Sequence, residues 1–337
     1  MEYVLLNPGP VNLHPRVREA ATNVDLCHRQ QEFSDILISV KKKLKLAANT
    51  PESRVSILHG SGSLAVESGL RTFVSGRVLV INNGPYCQRI ADSLNSMEDV
   101  KLDNICYKMG ESPNLDFIEQ LLHHKYYDWI AVVHHETATG ILNPLSKICD
   151  MVEGEGTKVF VDAVSSFGAH KVDSRSDVIC FNSNKCLESI PGAAIVIWNK
   201  KLHKSRAGII PYLDVTRYSG CQIPCTPNTN AIMALNTAMD LFFEENRYER
   251  YAILSEHIRD VGSKYFELFL DCDYSNVLTS FKVDESHYEQ IYYKAVDSGF
   301  IIYGGSILDQ FRVCNLGVKV NKENINRLFD IIGNLHG

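Results

Sequence analysis

No run of apolar residues in this chain of 337 approaches the length needed to cross a bilayer, and a membrane-spanning protein is therefore not expected. Positive charge is also in short supply. Lysine and arginine number 34 against 40 aspartates and glutamates, a formal charge of −6, and the longest basic tract is Lys41-Lys42-Lys43. That balance disfavours a nucleic-acid partner, and the tract reads as a solvated helix face. Pro8-Gly9-Pro10 arrives too early to leave room for an apolar export signal, so a cytoplasmic location is expected. The 10 cysteines show no C-x-x-C framework; the nearest pair is Cys221 and Cys225, and reduced thiols are expected. The doublets His123-His124 and His134-His135 invite a metal reading, but adjacent side chains point in different directions, and no metal is expected. Repeats, low-complexity tracts and Pro/Gly/Ser linkers are absent as well.

What is there is an ordinary globular composition, 45% hydrophobic and 22% charged, at a length that favours two domains. From about residue 55 to 200, short β-branched runs alternate with longer amphipathic stretches, the pattern of βαβ units and a largely parallel sheet. Strands are expected at 54–58, 78–82, 129–134, 158–162, 178–182 and 194–198. Ligands of such sheets bind just beyond the carboxyl ends of the strands. After Pro227, a long helix over 230–245 leads into a section with strands at 277–283 and 311–314 between amphipathic helices. This reads as a smaller α+β domain, joined to the first by a continuous helix.

Three of those strand ends carry chemistry. Val159-Phe160-Val161-Asp162 closes an apolar strand on a carboxylate, and Cys180-Phe181-Asn182-Ser183-Asn184-Lys185 closes the next on an amine. A carboxylate and a lysine side by side suit pyridoxal phosphate (PLP). The acid keeps the pyridine nitrogen protonated, and the amine forms an imine with the cofactor and then shuttles a proton. The same two residues also make an ordinary ion pair at a sheet edge. The third element, His59-Gly60-Ser61-Gly62-Ser63, runs from a strand into a helix-forming stretch, where backbone N–H groups and hydroxyls bind phosphate. Alone it is also a plain turn with a serine cap.

Five blocks in register carry a family resemblance: 59–63, Asn83-Gly84-Pro85-Tyr86, Val133-His134-His135-Glu136-Thr137-Ala138-Thr139-Gly140, Asp162-Ala163-Val164-Ser165-Ser166-Phe167-Gly168 and Asn184-Lys185-Cys186-Leu187-Glu188-Ser189-Ile190-Pro191-Gly192. The chain resembles the class V aminotransferases of PLP fold type I, and within them the branch acting on 2-aminoethylphosphonate and pyruvate. The resemblance implies an α/β fold with a mainly parallel seven-stranded sheet. It divides the chain into an N-terminal segment lining the active site (1–20), a large PLP-binding domain (21–245) and a small C-terminal α+β domain (246–337). It also implies a homodimer with shared active sites.

Position by position, the resemblance makes Lys185 the imine-forming lysine and Asp162 the partner of the pyridine nitrogen. Thr137 is placed near the ring hydroxyl and Tyr86 on the ring face. Ser61, Gly62 and Ser63 cradle the phosphate with help from Ser183 and Asn184. Relatives supply a further phosphate-binding threonine two residues before the proline matching Pro227. That position is Cys225 here, and Thr226 or Thr229 is expected to substitute. Arg312 is the expected grip on the acidic end of the substrate, with Gly9, His28 and Arg29 as further substrate positions. The segment Cys27-His28-Arg29-Gln30-Gln31-Glu32-Phe33 is more similar to alanine:glyoxylate and serine:pyruvate aminotransferases, which keeps small amino acids open as the donor.

Overall fold

The computed structural model describes residues 2–202, 206–221, 223–303 and 309–335. It begins with β1 (Val4–Leu6), α1 (Pro15–Ala20) and α2 (Gln31–Ala47). Phe33, Leu37, Val40 and Leu44 recur at helical spacing along α2 and are all buried. The alternating section follows as β2 (Arg54–Gly60), α3 (Gly62–Phe73), β3 (Gly76–Asn82), α4 (Pro85–Asn95), β4 (Val100–Cys106), α5 (Leu115–His124) and β5 (Trp129–Val133). A short hairpin, β6 (His135–Glu136) and β7 (Ile141–Leu142), precedes α6 (Leu145–Val152), β8 (Lys158–Asp162), β9 (Val178–Asn182) and β10 (Gly192–Trp198).

Seven of these strands form one sheet in the order β2-β10-β9-β8-β5-β3-β4. Only β10 runs against its neighbours. Strands buried on both faces read as continuous apolar runs, and β5 (Trp-Ile-Ala-Val-Val) and β9 are buried at every position. Alternate residues feed two cores. Leu79 and Ile81 meet α2, α5 and α6 on one face, whereas Val78 and Val80 meet α3 and α4 on the other.

Beyond the sheet come α7 (Thr229–Glu244) and α8 (Arg247–Gly262), then β11 (Leu278–Lys282), α9 (Glu285–Asp297), β12 (Phe300–Ile302), β13 (Gln310–Cys314) and α10 (Lys322–Ile332). The expected continuous helix is in fact two. Asn246 sits between them in the left-handed region at φ 45°, a conformation asparagine tolerates better than most residues. In the C-terminal part β11 pairs antiparallel with β13, and β12 pairs parallel with β1 at the other end of the chain. Val4 and Leu6 accordingly join Phe266, Phe281, Phe311 and Phe329 in a separate core. All 10 cysteines are free thiols. Among the described residues no helix is long and apolar enough to cross a membrane.

Candidate active site

The carboxyl ends of β2, β3, β5, β8 and β9 share one edge of the sheet, and the candidate residues gather there. Asp162 ends β8 as a buried side chain whose one oxygen accepts from the Val164 N–H at 2.8 Å. Burial pushes its pKa up to about 6, opposed by that N–H and by the charges of Lys185 and Arg89. Lys185 follows β9 in a tight loop. The Lys185 carbonyl accepts from the Glu188 N–H at 2.8 Å, and Ser183 Oγ donates to the Ile190 carbonyl at 2.6 Å. With its proton so committed, the Ser183 hydroxyl shapes the lysine loop. Asn184 Oδ1 accepts from Asn182 Nδ2. The lysine Nζ lies 5.9 Å from the centroid of the Tyr86 ring.

Gly9 brings the N-terminal segment to the same place. At φ +134° it lies so close that a Cβ would stand 2.8 Å from the Asn184 carbonyl oxygen and 3.3 Å from Lys185 Cγ. Only glycine fits that approach.

The phosphate-type turn is locked against Asp162. A Cβ on Gly62 would meet Val164 Cγ1 at 2.7 Å, so the start of α3 packs directly on the residues after Asp162. The first N–H groups of a helix have no partner inside it, and Ser61, preceding α3, makes no side-chain cap bond. The N–H groups of Gly62 and Ser63 and two exposed hydroxyls are thus available to an anion. This donor set fits PLP: an uncapped helix end for the phosphate, a buried carboxylate for the pyridine nitrogen, an amine whose charge reaches that carboxylate, and an aromatic beside the amine.

Arg312 arrives from the other core. It is buried on β13, its Nη1 donates to the Thr137 carbonyl at 2.9 Å, and its guanidinium lies 4.1 Å from the Tyr303 ring centroid. Desolvation pulls its pKa down, with Tyr303 and Tyr86 among the groups facing it. Thr137, buried in the turn after β6, is therefore tied to the arginine through its backbone.

The start of α7 comes near the phosphate-type turn, since a Cβ on Gly192, the partner of Gly60, would stand 2.6 Å from Asn228 Nδ2. His28 is half-buried and Arg29 exposed in the turn before α2, and Thr226 is exposed. Thr229 opens α7 with its hydroxyl donating to Asn230, while Cys225 Sγ lies 3.8 Å from the Tyr218 hydroxyl.

Several residues at the site were not singled out from the sequence. Glu136 is fully buried, and its two oxygens accept from the Tyr86 and Ala138 N–H groups at 2.9 and 3.0 Å. It thus ties the start of α4 to the turn carrying Thr137. Burial raises its pKa to about 7. His134, His135 and His170 are held neutral by burial, with pKa values lowered to about 3, 3 and 4. His134 Nδ1 lies 3.1 Å from Ser166 Oγ, His135 Nε2 lies 3.0 Å from Ser275 Oγ, and His170 Nε2 accepts from the Asn276 N–H. Arg89 donates to Ser63 Oγ at 3.1 Å. The signal for Glu136, His134 and His135 was their place in the third motif block; for His170 and Arg89 the sequence carried none.

The aminotransferase class V family matches residues 15–264. The chain is 30% identical to a 2-aminoethylphosphonate–pyruvate transaminase of Phocaeicola vulgatus, over 98% of both chains. It is 31% identical to an enzyme of the same name from Bacillus mycoides, over 98% of this chain and 97% of that one. Among solved structures, an aspartate aminotransferase of subgroup IV from Thermus thermophilus superposes with a TM-score of 0.91 at 23% identity, covering 99% of each chain.

Proposed function

Because the chain belongs to the class V aminotransferases, enzymes that work with PLP, we propose that it moves the amino group of 2-aminoethylphosphonate to pyruvate as a homodimer. The products are phosphonoacetaldehyde and alanine. The observation that carries the substrate is the near-full-length likeness to two transaminases named for that reaction. The bound cofactor supplies an electron sink for the carbon that carries the amine.

The chain's own residues do the rest. Lys185 Nζ would hold the cofactor until the substrate amine displaces it, and the freed amine would then move the proton of the amine-bearing carbon. Asp162 keeps a proton on the ring nitrogen with the oxygen that Val164 does not use. Gly62 and Ser63 N–H groups, with the Ser61 and Ser63 hydroxyls, hold the phosphate. Tyr86 and Thr137 orient the ring, and Arg312 binds the acidic end of each substrate in turn. A guanidinium grips a phosphonate or a carboxylate equally well, so one residue serves both halves of the reaction. A common site used alternately gives ping-pong kinetics.

An amino-donor screen with pyruvate as acceptor tests the reading. 2-Aminoethylphosphonate is expected to form alanine far faster than serine does with the same acceptor, in a protein sedimenting at about twice its chain mass. If serine turns over and the phosphonate does not, the donor is a small amino acid. That is the alternative favoured by the likeness of Cys27–Phe33 to alanine:glyoxylate and serine:pyruvate enzymes.

A further inference from the structure

The residues assigned so far to the phosphate are neutral. A bound phosphate monoester carries about −1.5 to −2 charges near neutral pH, while the start of a helix offers only about +0.5. Lys185 is committed to the aldehyde carbon of the cofactor. A cation is owed to the phosphate, and one stands beside the cradle.

Arg89 lies on α4, one helical turn after Tyr86, so the two side chains share a face. Its Nη1 donates to Ser63 Oγ at 3.1 Å, and its guanidinium carbon lies 5.1 Å from the Tyr86 ring centroid. One side chain thus touches both a member of the phosphate turn and the aromatic beside Lys185. Its charge also reaches Asp162, whose pKa it lowers. Among the described residues no carboxylate forms an ion pair with Arg89, although most arginines of the large sheet's surroundings, such as Arg71, Arg77 and Arg175, have one. A lone cation set against the positive end of α3 is electrostatically unfavourable in an empty site. An anion held between the two removes that conflict.

We propose that Arg89 is a binding residue for the cofactor phosphate, supplying the positive charge that the Ser61–Ser63 turn lacks. The inference rests on the placement of the phosphate at that turn. Arg89 holds the phosphate by charge and hydrogen bonding. It takes no part in proton transfer.

The test is reconstitution of apoprotein, followed by the visible absorbance of bound cofactor, with PLP and with pyridoxal, which lacks the phosphate. Arg89→Gln is expected to weaken PLP binding roughly 10- to 100-fold, the loss of one charged hydrogen-bonding partner. Pyridoxal binding should stay within about twofold of the wild type, since no charged partner is lost to it. Arg89→Lys should fall between Arg89→Gln and wild type, and inorganic phosphate should slow reconstitution of the wild type more than of Arg89→Gln.

Equal losses for both ligands would mean that Arg89 acts only through Tyr86, and the proposal would be wrong. Unchanged PLP affinity would overturn it as well. If the wild type itself bound PLP no better than pyridoxal, the placement of the phosphate at Ser61–Ser63 would fail first, and that result is read before any variant is made.

Discussion

At the scale of single residues, the site is assembled from groups that are costly to bury until a ligand arrives, and Asp162 shows this most clearly. Its carboxyl titrates at about 6 in the folded chain because burial disfavours the charged form. An unfolded aspartate titrates near 3.9, so the native state holds the proton more tightly. The stability linked to that proton is present in full below about pH 4 and is lost as pH rises through about 6. Above that, the ionised carboxylate costs the apoprotein about 3 kcal/mol. A protonated pyridine turns the same buried charge into an attraction.

Asp162→Asn should therefore raise the melting temperature of the apoprotein at pH 7.5, with the gain narrowing as pH falls toward 4. Transamination by the same variant should drop about 10²- to 10³-fold, as when one electrostatic stabiliser of a transition state is removed. Melting curves of the two apoproteins across that pH range check the first half. Superimposable curves would show that the carboxylate is not strained.

At the scale of elements, the loop after β9 is held by a buried charge cluster on its far side. Glu188 has a left-handed φ of 50° and is fully buried. Its Oε1 accepts from the Tyr251 hydroxyl and the Gly317 N–H at 2.7 Å each, and from Arg250. Arg247, wholly buried, donates to the Leu187 carbonyl at 2.6 Å, and the Tyr251 hydroxyl, whose single proton is shared between the two acceptors, lies 2.7 Å from the Cys186 carbonyl oxygen as well. Three successive residues after Lys185 are thus pinned by α8 and by the stretch following β13.

Removing one member of a buried ion pair costs about 3–5 kcal/mol because its partner is left charged and dry. Glu188→Ala is expected to lose that much in chemical denaturation, and Glu188→Gln less, since the amide keeps an acceptor for Tyr251 and Gly317. A loss below about 1 kcal/mol for Glu188→Ala, the level of a surface pair, would mean that the cluster does not hold the loop.

The elements also differ in how far the sequence announced them. Strands β8 and β9 have both ends where expected, because an unbroken apolar run stops at a polar residue in each. The edge strand β4 was not expected: Val100–Cys106 mixes polar and apolar residues and is buried at none of its seven positions. Strands β1 and β12 are three residues long and pair across almost the whole chain, so neither has a local signal. Asn246 breaks the helix between α7 and α8 without glycine or proline to mark it.

For the molecule as a whole, the site is made where two cores meet. The large sheet supplies Asp162, Lys185 and the phosphate turn, and the C-terminal part supplies Arg312, joined to the large part by its bond to the Thr137 carbonyl. The lysine, the aspartate and the turn were legible because each ends a strand that the sequence spells out. Arg89 and His170 were not, because what marks them is burial and pairing between segments far apart in the chain.

The proposed chemistry depends on Lys185 as the residue that holds the cofactor. Borohydride reduction of the yellow holoprotein, followed by proteolysis and mass mapping, tests this most directly. One pyridoxyl phosphate group per chain is expected, carried by the peptide that contains Lys185, and none after Lys185→Ala. A label on another lysine, or a wild-type protein that takes up no cofactor, would contradict it.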